Sequence, residues 1–271
     1  MSASSLSGPS PPPQPDPRLG APSHYNREEI VSELREFYAF LPHISSAEVH
    51  TAPAGGWPSI THETLSRQGI TKTPEAVALL RSLPYISDGR PWVTHAAYSL
   101  DYRIVAEEDR LTPRNKPGWL YDAADGMFPP WVVQLTTGRD REGHAYLLDT
   151  SDGTVVRYCA TGIGGQYEPT YDADDARAWR DTLCDPEIWT LRSLLDEWRD
   201  MYRDMNVLGV PQPLGDEVET LGYPNLYSNF VRGEDFEALV RIYRRHGWPD
   251  EYDKEACIAA LRDWWRDREK A

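Results

Sequence analysis

Between Phe128 and Tyr158 the chain alternates short apolar runs with polar breaks, a pattern that predicts three consecutive strands. Trp131 to Thr136, Ala145 to Thr150 and Thr154 to Tyr158 are each rich in β-branched and aromatic residues, which suit a pleated surface. Ser151-Asp152-Gly153 separates the last two. Gly there suits the positive φ of a hairpin turn, and Asp can bond its own backbone. Gly138 to Gly143 separates the first two and reads as a charged loop that water holds outside. The pattern predicts an antiparallel meander over about 131–158. Leu147 and Val155 are expected to be core residues on the inward face of adjacent strands, and Asp149 to bond turn amides.

Helical periodicity marks the flanks. Asn26 can cap a helix with Glu29 reaching back, and Ile30, Leu34, Phe37 and Leu41 share one face before Pro42. Thr61 opens a short helix closed by Gly69. Thr73-Pro74 opens another through Leu79, Leu80 and Leu83, and Pro84 stops it. An amphipathic helix over about 187–205 places Leu191, Leu194, Leu195, Trp198, Tyr202 and Met205 on one face. Two more finish the chain, over about 234–245 and from the cap Asp253 onward. Residues 92–105 read as extended, 106–127 as a loop anchored by Trp119 and Tyr121, 172–185 as weakly helical and 207–232 as irregular. Residues 1–24 are rich in Pro and Ser with almost no apolar content, so a disordered tail without core burial is expected. The order helices, strands, helices predicts an α+β fold. Its antiparallel sheet is flanked by helices in a domain over 25–206, and a C-terminal helical extension over 207–271 packs on that domain.

Composition adds limits. The 271 residues are 40% hydrophobic, with 10 Trp and 15 Tyr, enough for a sizeable core. A net charge of −15 disfavours nucleic acid and anionic membranes, both of which need clustered Lys and Arg. It favours a basic protein partner or a cationic small molecule. Cys159, Cys184 and Cys257 lack paired spacing and no His cluster accompanies them, so neither a disulfide framework, a metal site nor a cofactor is expected. The N-terminus has no basic start followed by an apolar core, and no segment approaches 18 apolar residues. A soluble, cytoplasmic protein is the expectation.

Candidate chemistry is sparse. Gly55-Gly56-Trp57-Pro58 permits close backbone approach, with Trp57 either lining a groove or plugging the end of the core. Arg139 and Arg141, in the loop from Gly138 to Gly143, can hold a carboxylate or phosphate. Asp101-Tyr102-Arg103, in the segment read as extended, places a carboxylate and a phenol on opposite faces. Gly162-Ile163-Gly164-Gly165 lacks the Lys-Ser/Thr of a phosphate loop, the seven His show no ligand spacing, and no Ser sits in a nucleophile elbow. Binding candidates are therefore Trp57, Asp101, Tyr102, Trp119, Arg139 and Arg141, with no catalytic residue assigned.

The ordered set Pro129-Pro130-Trp131, Leu135 to Gly138, Gly143, Leu147-Leu148-Asp149 and Gly153-Thr154-Val155-Val156 is followed by the helix through Leu191, Leu194 and Leu195. This arrangement resembles the SUKH superfamily over about 80 residues. Gly143-His144 stands where that family has Gly-Asp or Gly-Asn, and Leu83-Pro84-Tyr85 imitates part of its entry helix. The chain is also similar, through GGWP, LLRSLPYI and FPP, to proteins of filamentous fungi. The SUKH superfamily includes a yeast cell-wall-synthesis regulator and bacterial toxin-immunity proteins. The resemblance implies a non-enzymatic protein-interaction module, regulatory or immunity-like, with a groove beside the sheet. The alternative is a cofactor-independent enzyme of fungal specialised metabolism (isomerase, cyclase or hydrolase), its Trp and Tyr residues lining a pocket for a small-molecule ligand.

Overall fold

The computed structural model describes residues 16–19, 22–86, 92–95, 97–107, 128–138, 143–159, 168–211, 226–228 and 234–268. Its first half is helical. Helix α1 (Arg27–Phe40) starts where the Asn26 side chain accepts from the amides of Glu28 and Glu29. A 3₁₀ turn (Ser46–Glu48) leads into β1 (Val49–His50). Helix α2 (His62–Arg67) begins at a capping box between Thr61 and Thr64, and α3 (Pro74–Ser82) begins at the cap Thr73 with Pro74 in its first turn. Strand β2 (Tyr85–Ile86) pairs with β1.

Residues 92–105 do not form one extended segment. Strands β3 (Trp92–Thr94) and β4 (Ala97–Ser99) pair antiparallel, and helix α4 (Tyr102–Glu107) follows. The switch has a local cause: the Asp101 carboxylate accepts the Arg103 amide at 2.8 Å, as an N-cap does. Strands β5 (Val132–Gln134) and β6 (Thr136–Thr137) come from one predicted strand that changes sheets at Leu135. β5 pairs with β7 (His144–Asp149), whereas β6 pairs with β4.

The meander is antiparallel and gains a fourth member. β8 (Thr154–Cys159) pairs with β7, and after the short helix α5 (Trp179–Leu183) the strand β9 (Cys184–Thr190) pairs with β8, giving the order β5-β7-β8-β9. Helix α6 (Leu191–Arg203) follows, so the helix predicted from about 187 begins later. The sequence of β9 contains Pro186, which an edge strand tolerates because one row of its amides faces no neighbour. The Gly153 turn forms at φ +78°, and a Cβ there would sit 2.5 Å from the His24 carbonyl oxygen. Only glycine fits against that crossing chain.

Both faces of this sheet are covered, which corrects the expected placement of Leu147 and Val155. Leu147 pairs with Val156, and Leu148 with Val155. Val133, Tyr146, Leu148 and Val155 join the main core with α1 and α6, where the Trp198 ring lies 4.8 Å from that of Tyr146. Val132, Ala145, Leu147, Val156, Tyr158 and Ile188 form a second cluster on the reverse face with Phe128. Leu147 and Val155 are both fully buried, but on opposite sides. Two-sided burial explains why these strands read as continuous apolar runs.

The tail expectation also needs correction. Asp16 is 1% exposed and Leu19 packs on the second cluster, so the segment read as disordered through residue 24 includes a packed turn. Residues 207–232 are not wholly irregular either: β10 (Val207–Gly209) pairs antiparallel with β11 (Leu226–Ser228). Helices α7 (Glu234–Arg245) and α8 (Lys254–Arg268) contribute Phe236, Leu239, Tyr243, Cys257 and Leu261 to the main core. Hydrogen bonds also tie the segment between and within them to earlier elements. The Tyr243 hydroxyl donates to the Gly209 carbonyl at 2.6 Å, the Trp248 indole to Tyr202 at 3.0 Å, and the Tyr252 hydroxyl to Pro42 at 2.7 Å. The architecture is α+β, with the sheet buried between the helical core and a thin reverse layer. Among the described residues, no helix is long and apolar enough to cross a membrane.

Candidate functional site

Three of the sequence candidates, Trp57, Asp101 and Tyr102, converge at one end of the helical layer. Gly55 and Gly56 both have positive φ, and a Cβ on Gly56 would sit 2.8 Å from the Arg81 carbonyl oxygen. The turn thus lays Trp57 beside α3. Its amide donates to Arg81 at 2.9 Å and its indole N–H to the Leu83 carbonyl at 2.8 Å. The Arg103 guanidinium covers the Trp57 ring at 4.7 Å and the Tyr85 ring at 5.5 Å. Asp101 holds Arg103 through Nε at 3.0 Å and Nη2 at 2.7 Å. Tyr102 is 1% exposed within the main core. Trp57 therefore seals the end of the core beneath an ion pair. Trp119, Arg139 and Arg141 lie outside the described residues, as do Tyr121 and the 162–165 glycine run.

Beside this cluster runs an open groove of about 610 Å³ between α1 and α3. Arg27, Glu28, Val31, Ser32 and Arg35 line it from α1, Ala78, Arg81 and Ser82 from α3, and Gly55 from the turn. Among the described binding candidates, Trp57, Asp101 and Tyr102 do not line it. Arg27 Nη1 is 3.3 Å from Glu75, which also accepts the Tyr25 hydroxyl at 2.7 Å. Arg81 Nη2 donates to the Gly55 carbonyl at 2.8 Å, and Arg35 Nη2 to Ser32 Oγ at 3.2 Å. The groove is thus walled by three guanidinium groups and one carboxylate over a floor of Val31 and Ala78.

A third constellation is enclosed. Arg180 of α5 is 0% exposed and bonds Asp16 at 2.7 Å, Asp149 at 2.6 Å and Asp152 at 2.9 Å. Each carboxylate uses its other oxygen locally. Asp149 accepts from the Ser151 amide, Asp152 from the Thr154 amide, and Asp16 from the Arg18 amide. Asp149 therefore does bond the turn, as expected, and also grips an arginine. The Tyr171 hydroxyl donates to Asp16, and Arg18 donates to Tyr171 at 2.7 Å. Burial pushes the Asp149 carboxyl up, helped by neighbouring Asp152, while Arg180 opposes the shift. Burial also works to raise Asp16, but the Tyr171 hydroxyl and the Arg18 amide outweigh it and hold that carboxyl below its ordinary value. Burial opposes the charge on Arg180, and Asp149 and Asp152 outweigh it, so its pKa stands above the ordinary arginine value. A guanidinium closed off from solvent and already bonded to three carboxylates has no route to a ligand. This cluster is a joint that fastens the N-terminal turn and α5 to the β7–β8 hairpin.

Sequence reasoning missed both Arg180 and the groove. Arg180 lies 164 positions from Asp16 and 31 from Asp149, and no local spacing couples them. Arg27, Val31 and Arg35 do share a helix face by spacing alone. The opposite wall, however, exists only after α3 packs. Among the described residues, no group of three or more His, Cys, Asp or Glu is arranged to hold a metal ion. Cys159, Cys184 and Cys257 form no disulfide among the described residues. Comparison with protein-family models, with curated proteins and with solved structures finds no match.

Proposed function

We propose that the protein is a non-enzymatic protein-interaction module of the SUKH type, acting in the cytoplasm and contacting its partner through the α1/α3 groove. The observation that carries this reading is the groove itself: a channel of about 610 Å³ open to solvent along two helices. Its lining mixes guanidinium, hydroxyl and carboxylate groups with Val31 and Ala78, the polar and partly apolar character of a non-obligate protein interface. The cap at Asn26 and the Thr73-Pro74 start fix where each wall begins, so the surface is formed before a partner arrives. The groove lies on the helical layer, whereas the family resemblance placed the contact surface beside the sheet.

The test is partner capture with a blocked groove. Ala78→Trp puts a bulky ring into the channel from a half-buried position. A protein retained stoichiometrically by the unaltered chain and lost by a folded Ala78→Trp variant supports the reading. Equal capture by both would move the contact surface elsewhere. Turnover of a metabolite by the purified protein, lost in Trp57→Ala, would replace the module with an enzyme.

A further inference from the structure

Carboxylates outnumber Lys and Arg by 43 to 28 in this chain, and most described arginines are ion-paired. Among the described residues Arg35 and Arg81 are not, nor are Arg241, Arg244 and Arg245 on α7, and what sets the first two apart is their shared groove. Arg103, Arg177 and Arg180 each lie within 3 Å of an aspartate, and Arg27 lies 3.3 Å from Glu75. Arg35 and Arg81 have no carboxylate within 4 Å among the described residues. Among the described residues, Arg35 bonds a serine hydroxyl and Arg81 a backbone carbonyl. Both line the same groove, from opposite walls.

We propose that the α1/α3 groove takes an acidic peptide segment of a protein partner, with Arg35 and Arg81 receiving two carboxylates that flank an aliphatic side chain. This inference rests on reading the groove as the contact surface and names the chemistry of what fills it. A guanidinium offers five N–H donors in a planar fork matched to a carboxylate, and Arg35 and Arg81 each use one nitrogen within the chain. Gly55 fixes Arg81 in place, which reduces the ordering cost of a new contact. Val31 and Ala78 provide an apolar floor for an aliphatic side chain, a contact that a bare phosphate cannot make. Glu28 stands at the Arg27 end and repels acid there, which sets the polarity of the bound segment. The net charge of −15 favours a basic partner at long range. At about 0.15 M salt, fields decay over about 8 Å, so the groove's own arginines govern the contact.

The test uses two labelled hexapeptides, one alternating glutamate with valine and one alternating lysine with valine, read by fluorescence anisotropy. The unaltered protein should bind the glutamate probe, less tightly as salt rises, and should ignore the lysine probe. Arg35→Glu/Arg81→Glu should weaken glutamate-probe binding about tenfold or more, and Arg35→Gln/Arg81→Gln should weaken it by a smaller factor. Melting curves confirm that each variant is folded. Undiminished binding by the charge-reversed variant overturns the proposal, as does the absence of binding by the unaltered protein. Complete displacement of the probe by inorganic phosphate overturns it in favour of a small-anion site. If the acidic probe fails while Ala78→Trp still abolishes partner capture, the contact surface stands and only its acid preference falls.

Discussion

Arg180 and the pair Arg35 and Arg81 carry the same charge in opposite surroundings. Arg180 is enclosed, its two terminal nitrogens bonded to aspartates from the N-terminal turn and the β7–β8 hairpin while Nε has no partner among the described residues, and it packs beside Trp179 at 5.7 Å. Arg35 and Arg81 stand on an open groove and, among the described residues, bond a hydroxyl and a carbonyl. Burial decides the difference. A charge taken out of water must find partners within the chain, and those partners then become part of the fold. A charge left at the surface adds little to stability and keeps its donors for other molecules. In an acidic protein these two fates separate the arginines that hold the structure from those open to a ligand.

The sharpest way to break this contrast is to remove the enclosed charge. Arg180→Met keeps the volume and leaves Asp16, Asp149 and Asp152 crowded without a cation. Loss of one partner from a buried ionic group costs about 3–5 kcal/mol, and denaturant titration should show a fall of that size. A loss under about 0.5 kcal/mol, typical of surface changes, would mean that the cluster does not fasten the hairpin.

His43 illustrates a third fate, a titratable group that enters the core by giving up its charge. It is 1% exposed, pairs through Nε2 with the Trp92 carbonyl at 3.0 Å and lies against Tyr202. Because a carbonyl only accepts, Nε2 carries the proton and Nδ1 is the bare nitrogen. Burial lowers its pKa to about 4, Lys254 adds to the fall, and the Trp92 contact partly offsets it. Above pH 6.5 the ring is neutral whether the chain is folded or not, so it carries no penalty. Between pH 6.5 and about 4 the unfolded chain binds a proton that the folded chain does not, and stability falls with pH; below about 4 this contribution levels off. At about 1.36 kcal/mol per pH unit the window amounts to about 3 kcal/mol. The check is unfolding free energy against pH for the unaltered chain and His43→Gln. Matching slopes across that window would show that His43 takes up its proton without resistance.

Which features could be read from the sequence follows the same division between local and assembled chemistry. The caps at Asn26, Thr61 and Thr73 act within three residues, and the Gly153 turn depends on one backbone angle, so each was visible in the residues themselves. Strand β9 was not, because Cys184-Asp185-Pro186-Glu187 has the composition of a loop and is held as a strand only by pairing with β8. Leu147 and Val155 were readable as core but not as opposite faces, since the reverse layer draws on residues distant in the chain, such as Leu19 and Trp179. Trp57 and Asp101 were singled out separately, whereas Arg103, which connects them, was seen only as a neighbour in sequence.

A milder test addresses the N-terminal turn. Deleting residues 1–22 removes Asp16 and Leu19, leaving Arg180 with one fewer bond and Tyr171 without its carboxylate acceptor. The expected loss is about 1–3 kcal/mol, the cost of leaving a buried polar group short of a partner, and Asp16→Ala alone should reproduce most of it. An unchanged melting temperature in both would return this segment to the status of a tail.

The smallest expected effect on stability completes the contrast. Arg35→Ala/Arg81→Ala removes the same number of side chains from the groove as Arg180→Met and Asp16→Ala together remove from the enclosed cluster. Its consequence for folding should nonetheless stay within about 0.5 kcal/mol, because neither arginine leaves a buried partner behind. Arg35 is exposed, and its serine contact lies within one helix turn. Arg81 is half-buried and gives up a bond to the Gly55 carbonyl, an exposed site that water can satisfy in its place. Melting curves should therefore overlap those of the unaltered chain while the glutamate probe binds more weakly, by a factor like that of the double Gln variant. A loss of stability above about 1 kcal/mol would show that Arg81 fixes the Gly55-Gly56-Trp57 turn against α3. The groove arginines would then belong with Arg180, as parts of the fold.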